Sequence, residues 1–147
     1  MKYPKKFKNR LFFGGGIILY HNGKILMQKT ENRDFWEDFG GKTDKEDSSV
    51  IETAYRECEE ESNQVITKEF LSEMIDKNPD KCHYLLQSNS YFIYLIFVSR
   101  KDKEYLKSKD FGKIEKHDKI KREVSWIDPS EELHPRIKYL HKYLKKK

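Results

Sequence analysis

Residues 40–63 read GGKTDKEDSSVIETAYRECEEESN and form the most strongly patterned segment of the chain. Ser49 and Glu52 have the spacing of a capping box, which predicts a helix that begins after Ser49 and runs to about Ser62. Asn63 can adopt the left-handed conformation that closes a helix. The apolar positions of this helix recur at the spacing of one face: Ile51, Ala54, Tyr55 and Cys58. We therefore expect the helix to pack on a hydrophobic core.

The same helix carries three glutamates on a second face. Glu57, Glu60 and Glu61 stand at positions i, i+3 and i+4, about a quarter turn from the apolar face. Like charges at this spacing oppose helix formation by about 0.2–0.5 kcal/mol per pair, and the negative end of the helix dipole adds to that cost. A bound Mg²⁺ or Mn²⁺ would reverse the effect, because hard cations take carboxylate oxygens as ligands. A solvated acidic helix face is the alternative that the helix alone leaves open.

Residues around the helix favour the cation site. Gly40 and Gly41 permit a close approach of the backbone, and Gly41 precedes the helix, so its carbonyl oxygen can face the same carboxylates. Arg56 can pair with one of the glutamates or with a phosphate through its planar guanidinium. Asp47 lies at the entrance to the helix. Together these residues are suited to hold a cation against a phosphate.

This arrangement resembles the signature of the Nudix hydrolases, G-x5-E-x7-R-E-U-x-E-E-x-G-U, in which U is a bulky apolar residue. The core R-E-U-x-E-E is intact from Arg56 to Glu61, with Cys58 as the apolar residue. Three further segments resemble the first strand, the hairpin and the late strand of the family: residues 14–18, Asn22-Gly23 and Trp126-Ile127. In outline the resemblance extends over residues 11–145.

The segment departs from the signature at several places. Asp47 stands at the position of its first glutamate, and one extra residue separates Asp47 from Arg56. Asn63 replaces the closing glycine. With the extra residue included, residues 40–49 resemble the branch that decaps small nucleolar RNA and hydrolyses inosine diphosphate, and residues 42–47 resemble mRNA-decapping members.

The resemblance implies an α/β fold, a Nudix-type α/β/α sandwich with a mixed β-sheet between helices. It implies a metal-dependent pyrophosphohydrolase, with Mg²⁺ or Mn²⁺ as cofactor, in which water attacks the phosphorus of a diphosphate-linked substrate. The metal ligands would be Gly41, Glu57, Glu60 and Glu61, and the catalytic residues Glu57, Arg56 and Glu60. Arg56 would orient Glu57, and the proton of the water would pass to Glu57 or to an acid from a later loop. Glu115, Asp118 and Glu123 are the candidates for that acid, and the sequence does not choose among them.

Other reactive or aromatic side chains have weaker signals. Phe35 and Trp36 are candidates to stack on a substrate base, with core packing as the alternative for both. Cys58 lies on the apolar face and is expected to pack rather than to react. His83 and His117 are expected to have no part in the site.

Alternating apolar residues and turn signals predict the remaining elements. Asn22-Gly23 between two apolar runs predicts a hairpin that joins a strand over residues 12–20 to one at residues 25–27. The other predicted elements are a helix at 68–75, strands at 83–87, 91–98 and 123–128 with a turn near 88–90, and a terminal helix within 133–147. For residues 102–119 the sequence does not distinguish helix from loop. Strands on both sides of an early helix predict a mixed sheet covered by helices.

The chain length and the charge distribution limit the number of domains and the classes of substrate. The 147 residues suit one domain, so we expect a single Nudix domain over residues 1–147 with basic, flexible ends at about 1–10 and 143–147. The net charge is +5, but residues 44–61 carry −6 and the rest of the chain +11. This basic body favours a nucleotide or a capped RNA as substrate. The basic ends can contact RNA or can serve as solubilising surface.

The sequence also indicates where the protein works. No apolar run approaches the ~18 residues that a membrane span needs, and the start lacks the long apolar stretch of a signal peptide. The two cysteines cannot form a disulfide framework. We therefore expect a cytoplasmic or nuclear protein without a membrane partner.

A second class of function is a Nudix-fold module that binds RNA or a nucleotide without turnover. The extra residue before Arg56 and the aspartate at position 47 motivate this hypothesis, whereas the retained glutamates count against it. Incubation with a divalent metal and a panel of substrates separates the two classes.

Overall fold

The computed structural model describes residues 2–86 and 90–145. Its strands are β1 (Lys5–Phe7), β2 (Arg10–Phe12), β3 (Gly14–His21), β4 (Lys24–Thr30), β5 (Phe39–Lys42), β6 (Cys82–Leu86), β7 (Tyr91–Phe97), β8 (Ile114–Glu115) and β9 (Ile120–Ile127). Its α-helices are α1 (Val50–Glu61), α2 (Lys68–Lys77), α3 (Arg100–Tyr105) and α4 (Leu140–Lys145). Within the described ranges, none of these helices is long and apolar enough to cross a membrane.

The main sheet is mixed, with the strand order β6-β7-β3-β4-β9-β8. β3 runs parallel to β7, and β4 continues from β3 through the predicted hairpin, where Asn22 and Gly23 have φ values of 46° and 83°. β5 pairs with the first half of β3, so that Gly15 lies opposite Gly41. The pairing brings the glycine pair of β5 to the centre of the sheet.

Helices cover both faces of this sheet. Along β3, Ile17 and Leu19 enter one core, which α1 and α2 close, whereas Ile18 enters a second core on the opposite face. The second core is closed by apolar residues of the terminal segment: Ile137, Leu140 and Leu144. The architecture is therefore an α/β/α sandwich around a mixed sheet, which confirms the predicted fold.

Several local predictions are confirmed. α1 begins after Ser49, whose hydroxyl accepts a hydrogen bond from the Glu52 amide at 3.2 Å, and Asn63 after the helix has a φ of 54°. α2 and the β6–β7 pair also form where they were predicted. Most of the turn predicted near residues 88–90 lies outside the described residues, as do the last two lysines.

The N-terminal basic stretch contains an unpredicted hairpin. β1 pairs with β2, and the Phe7 ring packs edge-on against Phe92 with centroids 5.2 Å apart. The predicted strand over residues 12–20 is consequently interrupted at Phe13, because β2 turns back along β1 while β3 begins at Gly14 beside β7. Residues 102–119, left open by the sequence, contribute the end of α3, a 3-10 turn at Ser108–Phe111 and β8.

Candidate active site

A cleft of ≈ 830 Å³ opens where the C-terminal half of α1 meets β5, beside the loop that follows β8. Ala54 and Cys58 hold the apolar face of α1 on the sheet, so the neighbouring acidic face turns towards β5. The structure brings the predicted site residues together in the lining of this cleft: Gly41, Arg56, Glu57, Glu60 and Glu61.

Glu57 lies directly against Gly41. A Cβ atom on residue 41 would stand 2.5 and 2.7 Å from the two carboxylate oxygens of Glu57, too close for any real side chain. Glycine is therefore the residue that leaves room for this carboxylate. The Glu57 side chain is 16% exposed, and burial raises its pKa above that of an ordinary glutamate although the Arg56 guanidinium acts to lower it.

Glu61 is anchored by the strands beside it. Its Oε1 atom accepts hydrogen bonds from the Gly40 amide at 2.7 Å and from Gln28 Nε2 at 3.0 Å. Burial raises the pKa of Glu61 well above the usual value for a glutamate, because the protein interior disfavours the charged form.

The carbonyl group of Gly41 points away from the glutamates. Gly41 pairs with Gly15 of β3, and its oxygen lies only 2.8 Å from where a Cβ atom on Gly14 would stand. Gly40 has the opposite orientation, because its amide donates to Glu61 and the N–H and C=O of one strand residue face the same side. This register favours the backbone of Gly40 over the predicted Gly41 carbonyl as the candidate metal ligand. Gly40 is the glycine whose backbone faces the carboxylates.

Arg56 connects the acids to the loop before α1. Its Nε and Nη2 atoms lie 2.8 and 3.0 Å from the two carboxylate oxygens of Asp47. Its Nη1 atom lies 3.0 Å from Glu57 Oε1 and 3.5 Å from Glu60 Oε2. One guanidinium thus holds Glu57 in place and offsets part of the repulsion between two glutamates.

Asp47 is buried at the entrance to α1, with a side chain 4% exposed. It also accepts hydrogen bonds from Thr53 Oγ1 at 2.7 Å and from the Asp44 amide at 2.8 Å. Burial acts to raise the pKa of Asp47, but the hydrogen bonds from Arg56 and Thr53 outweigh it and lower the pKa to about 2. Asp47 and Arg56 therefore form a two-pronged ion pair despite the extra residue between them, and even though aspartate is shorter than the glutamate of the family signature.

The later acids differ in their positions. Glu115 is 4% exposed, its Oε2 atom accepts from the Asp118 amide at 2.6 Å, and its buried Oε1 atom has no hydrogen-bond partner among the described residues. Glu115, Asp118 and Glu61 line a smaller cavity of ≈ 160 Å³ beside the main cleft. Glu123 is exposed on β9 and lines a different groove. The positions of these residues therefore favour Glu115, with Asp118 next to it, over Glu123 as the later acid of the site.

His117 lies at the rim of the cleft, where the sequence prediction did not expect it. Its Nε2 atom is 4.0 Å from Glu60 Oε2, and its Nδ1 atom is 3.3 Å from Asp118 Oδ1. The carboxylate of Glu60 raises the pKa of His117, and that of Asp118 adds to the effect. The sequence signal that could have located this residue is the close spacing of Glu115, His117 and Asp118 between β8 and β9. His83 lies elsewhere, on β6.

The opposite wall of the cleft is a buried ion pair. Arg136 donates to Asp38 Oδ1 from Nη2 at 2.9 Å and from Nε at 3.1 Å, and the Tyr91 hydroxyl donates to Asp38 Oδ2 at 2.7 Å. A Cβ atom on Gly40 would lie 2.6 Å from Asp38 Oδ2, and one on Gly16 would overlap the same atom. No sequence pattern indicated this network, since 98 residues separate Asp38 from Arg136.

The aromatic residues near the cleft are arranged differently from the prediction. Trp36 is 9% exposed within the second core, so its position supports the packing alternative rather than base stacking. Phe35 is half-buried, with its ring edge-on to His134. Phe13 instead lines the cleft with 37% of its surface exposed, and its amide is held by the Ser90 carbonyl at 2.9 Å.

The donor atoms around the cleft fit a divalent metal ion. The carboxylates are hard oxygen donors of the kind that Mg²⁺ and Mn²⁺ take, and they include a Glu115 oxygen that has no hydrogen-bond partner among the described residues. The backbone of Gly40, whose amide faces Glu61, lies beside them. Burial raises the pKa values of Glu57 and Glu61, although the Arg56 guanidinium acts to lower that of Glu57, so a bound cation would further stabilise both anions.

Comparisons with known proteins agree with this geometry. Residues 14–146 match the family model of the NUDIX domain, and the match includes α1, β5 and the strand β8, which carries Glu115. A search of curated proteins found no match. The chain therefore belongs to the Nudix family and is a hydrolase that acts on acid anhydrides.

Proposed function

We propose that the protein is a metal-dependent pyrophosphohydrolase that cleaves a nucleoside-diphosphate-linked substrate by attack of water on phosphorus. The observation that supports this most strongly is the convergence of Glu57, Glu60 and Glu61 on one cleft, beside the buried Glu115, whose Oε1 atom has no hydrogen-bond partner within the described ranges. Such a cluster repels a phosphate unless cations bind with it, so metal and substrate are expected to depend on each other.

The residues that would hold the metal are three glutamates of α1, one later acid and one carbonyl group: Glu57, Glu60, Glu61, Glu115 and the backbone of Gly40. Divalent ions, when bound, neutralise phosphate oxygens and lower the pKa of a bound water. Gly41 contributes space, because any side chain there would displace the Glu57 carboxylate.

Glu57 is our candidate for the group that accepts the proton of the attacking water. Arg56 fixes its Oε1 atom at 3.0 Å, and its raised pKa suits a proton acceptor better than that of a free carboxylate. A bond forms between the water oxygen and phosphorus, the anhydride bond between phosphorus and oxygen breaks, and the leaving phosphate keeps the bonding electron pair. Glu115 is the alternative acceptor, because its Oε1 atom has no donor among the described residues.

The substrate class is a nucleotide or a capped RNA. Phe13 offers an exposed ring at the lip of an otherwise polar cleft, where a base can stack. Capped RNA is favoured by the adjoining hairpin, because residues 2–13 contain five lysines or arginines and no acid. Lys2 Nζ lies 5.5 Å from the centre of the Phe13 ring, so a positive charge stands at the edge of the cleft where the hairpin adjoins it.

Glutamine substitutions test the site. We expect Glu60→Gln and Glu61→Gln together to abolish hydrolysis in Mg²⁺ or Mn²⁺ without unfolding the protein, because both charges are lost while the side-chain shapes are kept. Glu115→Gln is expected to lower kcat, whereas Glu123→Gln, a matched change of an exposed acid outside the cleft, leaves it unchanged. Undiminished hydrolysis by the double variant would contradict the site assignment.

A substrate panel tests the class. Capped RNA, nucleoside diphosphates, nucleoside triphosphates and dinucleoside polyphosphates are each incubated with enzyme and metal, and the phosphate-containing products are identified. Release of a nucleoside monophosphate, or of a cap nucleotide together with an RNA that carries a 5′ phosphate, supports the proposal and identifies the bond that breaks. Binding across the panel without any product would instead favour the non-catalytic module.

A further inference from the structure

Asn63 follows α1 at the position where the Nudix signature has its closing glycine. Its φ of 54° lies in the left-handed region, which glycine adopts freely and asparagine at low cost. A glycine would suit this backbone at least as well. The side-chain amide is therefore the feature that distinguishes this chain from the signature.

This amide bonds to the segment that carries Glu115. Asn63 Nδ2 donates to the carbonyl groups of Phe111 at 2.7 Å and Ile114 at 2.9 Å. Asn63 Oδ1 accepts from the Lys116 amide at 2.9 Å. The reverse orientation would place the amide oxygen against two carbonyl oxygens, so the chemistry of the three partners fixes which way the amide faces.

Two of the three bonds stand on either side of Glu115. Ile114 and Lys116 are its neighbours in the chain, so one side chain holds the backbone before and after this buried acid. Residue 63 is separated from them by 51 and 53 positions. The bonds therefore tie the backbone of Glu115 to the end of the helix that carries the other glutamates of the cleft.

The segment has other attachments to the fold. Arg122 also donates to the Phe111 carbonyl, at 2.9 Å, and β8 pairs with β9 through Ile114 and Lys121. Loss of the Asn63 amide would consequently leave the segment folded. What would be lost is the direct link between Glu115 and the end of α1.

We propose that Asn63 is a positioning residue that acts through Glu115. Its amide fixes the backbone of this acid against the end of α1, so that the Glu115 carboxylate has a preset place beside the glutamates of the cleft. A group held in this way loses less conformational freedom when metal and substrate bind. The part of Glu115 in hydrolysis rests on the proposed function, whereas the anchoring by Asn63 does not.

Asn63→Gly is the test, because it removes the amide and leaves a residue that favours the same backbone conformation. We expect kcat and the affinity for Mg²⁺, measured by calorimetry, each to fall by about 10-fold or more, since loss of groups that orient a ligand costs 10–100-fold. The melting temperature should stay close to that of the wild type. Asn22→Gly is the matched control, because Asn22 also has a positive φ, 46°, but lies in the β3–β4 hairpin outside the cleft. It should change neither kcat nor affinity.

The same substitution in the Glu115→Gln protein separates positioning from a general effect on the fold. If Asn63 acts through Glu115, Asn63→Gly will lower kcat and Mg²⁺ affinity no further in this background. An equal loss in both backgrounds would show a general structural effect and overturn the proposal. Unchanged kcat and Mg²⁺ affinity in the single variant would overturn it as well.

Hydrogen exchange tests the anchor without metal or substrate. We expect the Lys116 amide, which donates to Asn63, to exchange faster in Asn63→Gly, while the amides of β9 keep their wild-type rates. An unchanged rate at Lys116 would contradict the anchoring. A wild-type protein that hydrolyses no substrate would contradict the proposed function instead, and the Mg²⁺ titrations in the two backgrounds would then decide this inference by themselves.

Discussion

Gly41 shows how one residue sets the position of a reactive group. The Glu57 carboxylate occupies the space that a side chain on residue 41 would fill, while Arg56 fixes the same carboxylate through a hydrogen bond. The neighbouring Gly40 has a different task, because its amide anchors Glu61 and its lack of a Cβ atom admits Asp38. The two glycines are therefore required for separate reasons, one for each wall of the cleft.

At the residue scale we predict that Gly41→Ala impairs the site without unfolding the protein. The new methyl group would meet the flexible end of the Glu57 side chain, which can move away, so the backbone need not shift. Metal affinity and kcat should each fall on the order of 10–100-fold, as expected when a ligand loses its orientation. The measurements are a calorimetric metal titration and the melting temperature. An unchanged metal affinity would contradict the role assigned to this glycine.

At the scale of the element, α1 owes its position to contacts at both ends. Ser49 caps its first turn, and the buried Asp47 before it pairs with Arg56 in its second turn. At the C-terminal end, Arg122 of β9 donates to the Glu61 carbonyl and to the Phe111 carbonyl, which ties the helix end to the loop before β8. A positive charge at this end also favours the helix dipole.

We predict that Asp47→Asn lowers the free energy of unfolding by about 3 kcal/mol near neutral pH, because it breaks a buried ion pair and leaves Arg56 without its main partner. The pKa of Asp47 is lowered to about 2, so its stabilising effect is complete above the unfolded-state value of 3.8 and is lost as the pH falls through about 2. The difference in the free energy of unfolding between the wild type and Asp47→Asn should therefore become smaller at acid pH.

Urea unfolding at a series of pH values measures this difference. Asp44→Asn is the matched control, because it removes a neighbouring exposed carboxylate but keeps the amide that donates to Asp47. The free energy of unfolding of Asp44→Asn should stay close to that of the wild type at every pH. A difference between wild type and Asp47→Asn that does not change with pH would show that the ion pair is not its source.

The elements that the sequence predicted well are those whose signals are local. Spacing of apolar residues located α1, and Asn22-Gly23 located the β3–β4 hairpin, because both depend on neighbours within a few residues. The Asp38–Arg136 pair and the approach of His117 to Glu60 depend on segments that meet only in the folded chain. The direction of the Gly41 carbonyl likewise follows from its pairing register with β3, which composition does not encode.

At the scale of the whole molecule, the charges are separated into two regions. Residues 44–61 carry −6 and contain the glutamates of the cleft, whereas the rest of the chain carries +11. The N-terminal hairpin contributes Lys6, which pairs in register with Leu11 two residues before Phe13. Leu11 is 53% exposed, so a basic and apolar strip leads away from the cleft. Such a strip suits a single-stranded polyanion whose bases can stack.

We predict that Lys2→Glu together with Lys6→Glu raises KM for a capped RNA of about 20 nucleotides but not for a short capped dinucleotide, which cannot reach the hairpin. Binding of the long RNA to the Glu61→Gln protein should also become less dependent on salt. The slope of log Kd against log salt concentration should fall by about 0.7 for each RNA phosphate that the altered hairpin no longer neutralises.

Lys77→Glu together with Lys81→Glu is the control for this prediction. It makes the same change of net charge near the start of β6, at the opposite end of the β6–β7 pair from Ser90 and Phe13. If general attraction between a basic protein and RNA explains the binding, both double variants will bind more weakly to the same extent. If the hairpin guides the RNA into the cleft, the weakening will be confined to the N-terminal pair. Equal KM values for long and short substrates in the wild-type protein would instead indicate that the hairpin contributes nothing and that the cleft takes free nucleotides.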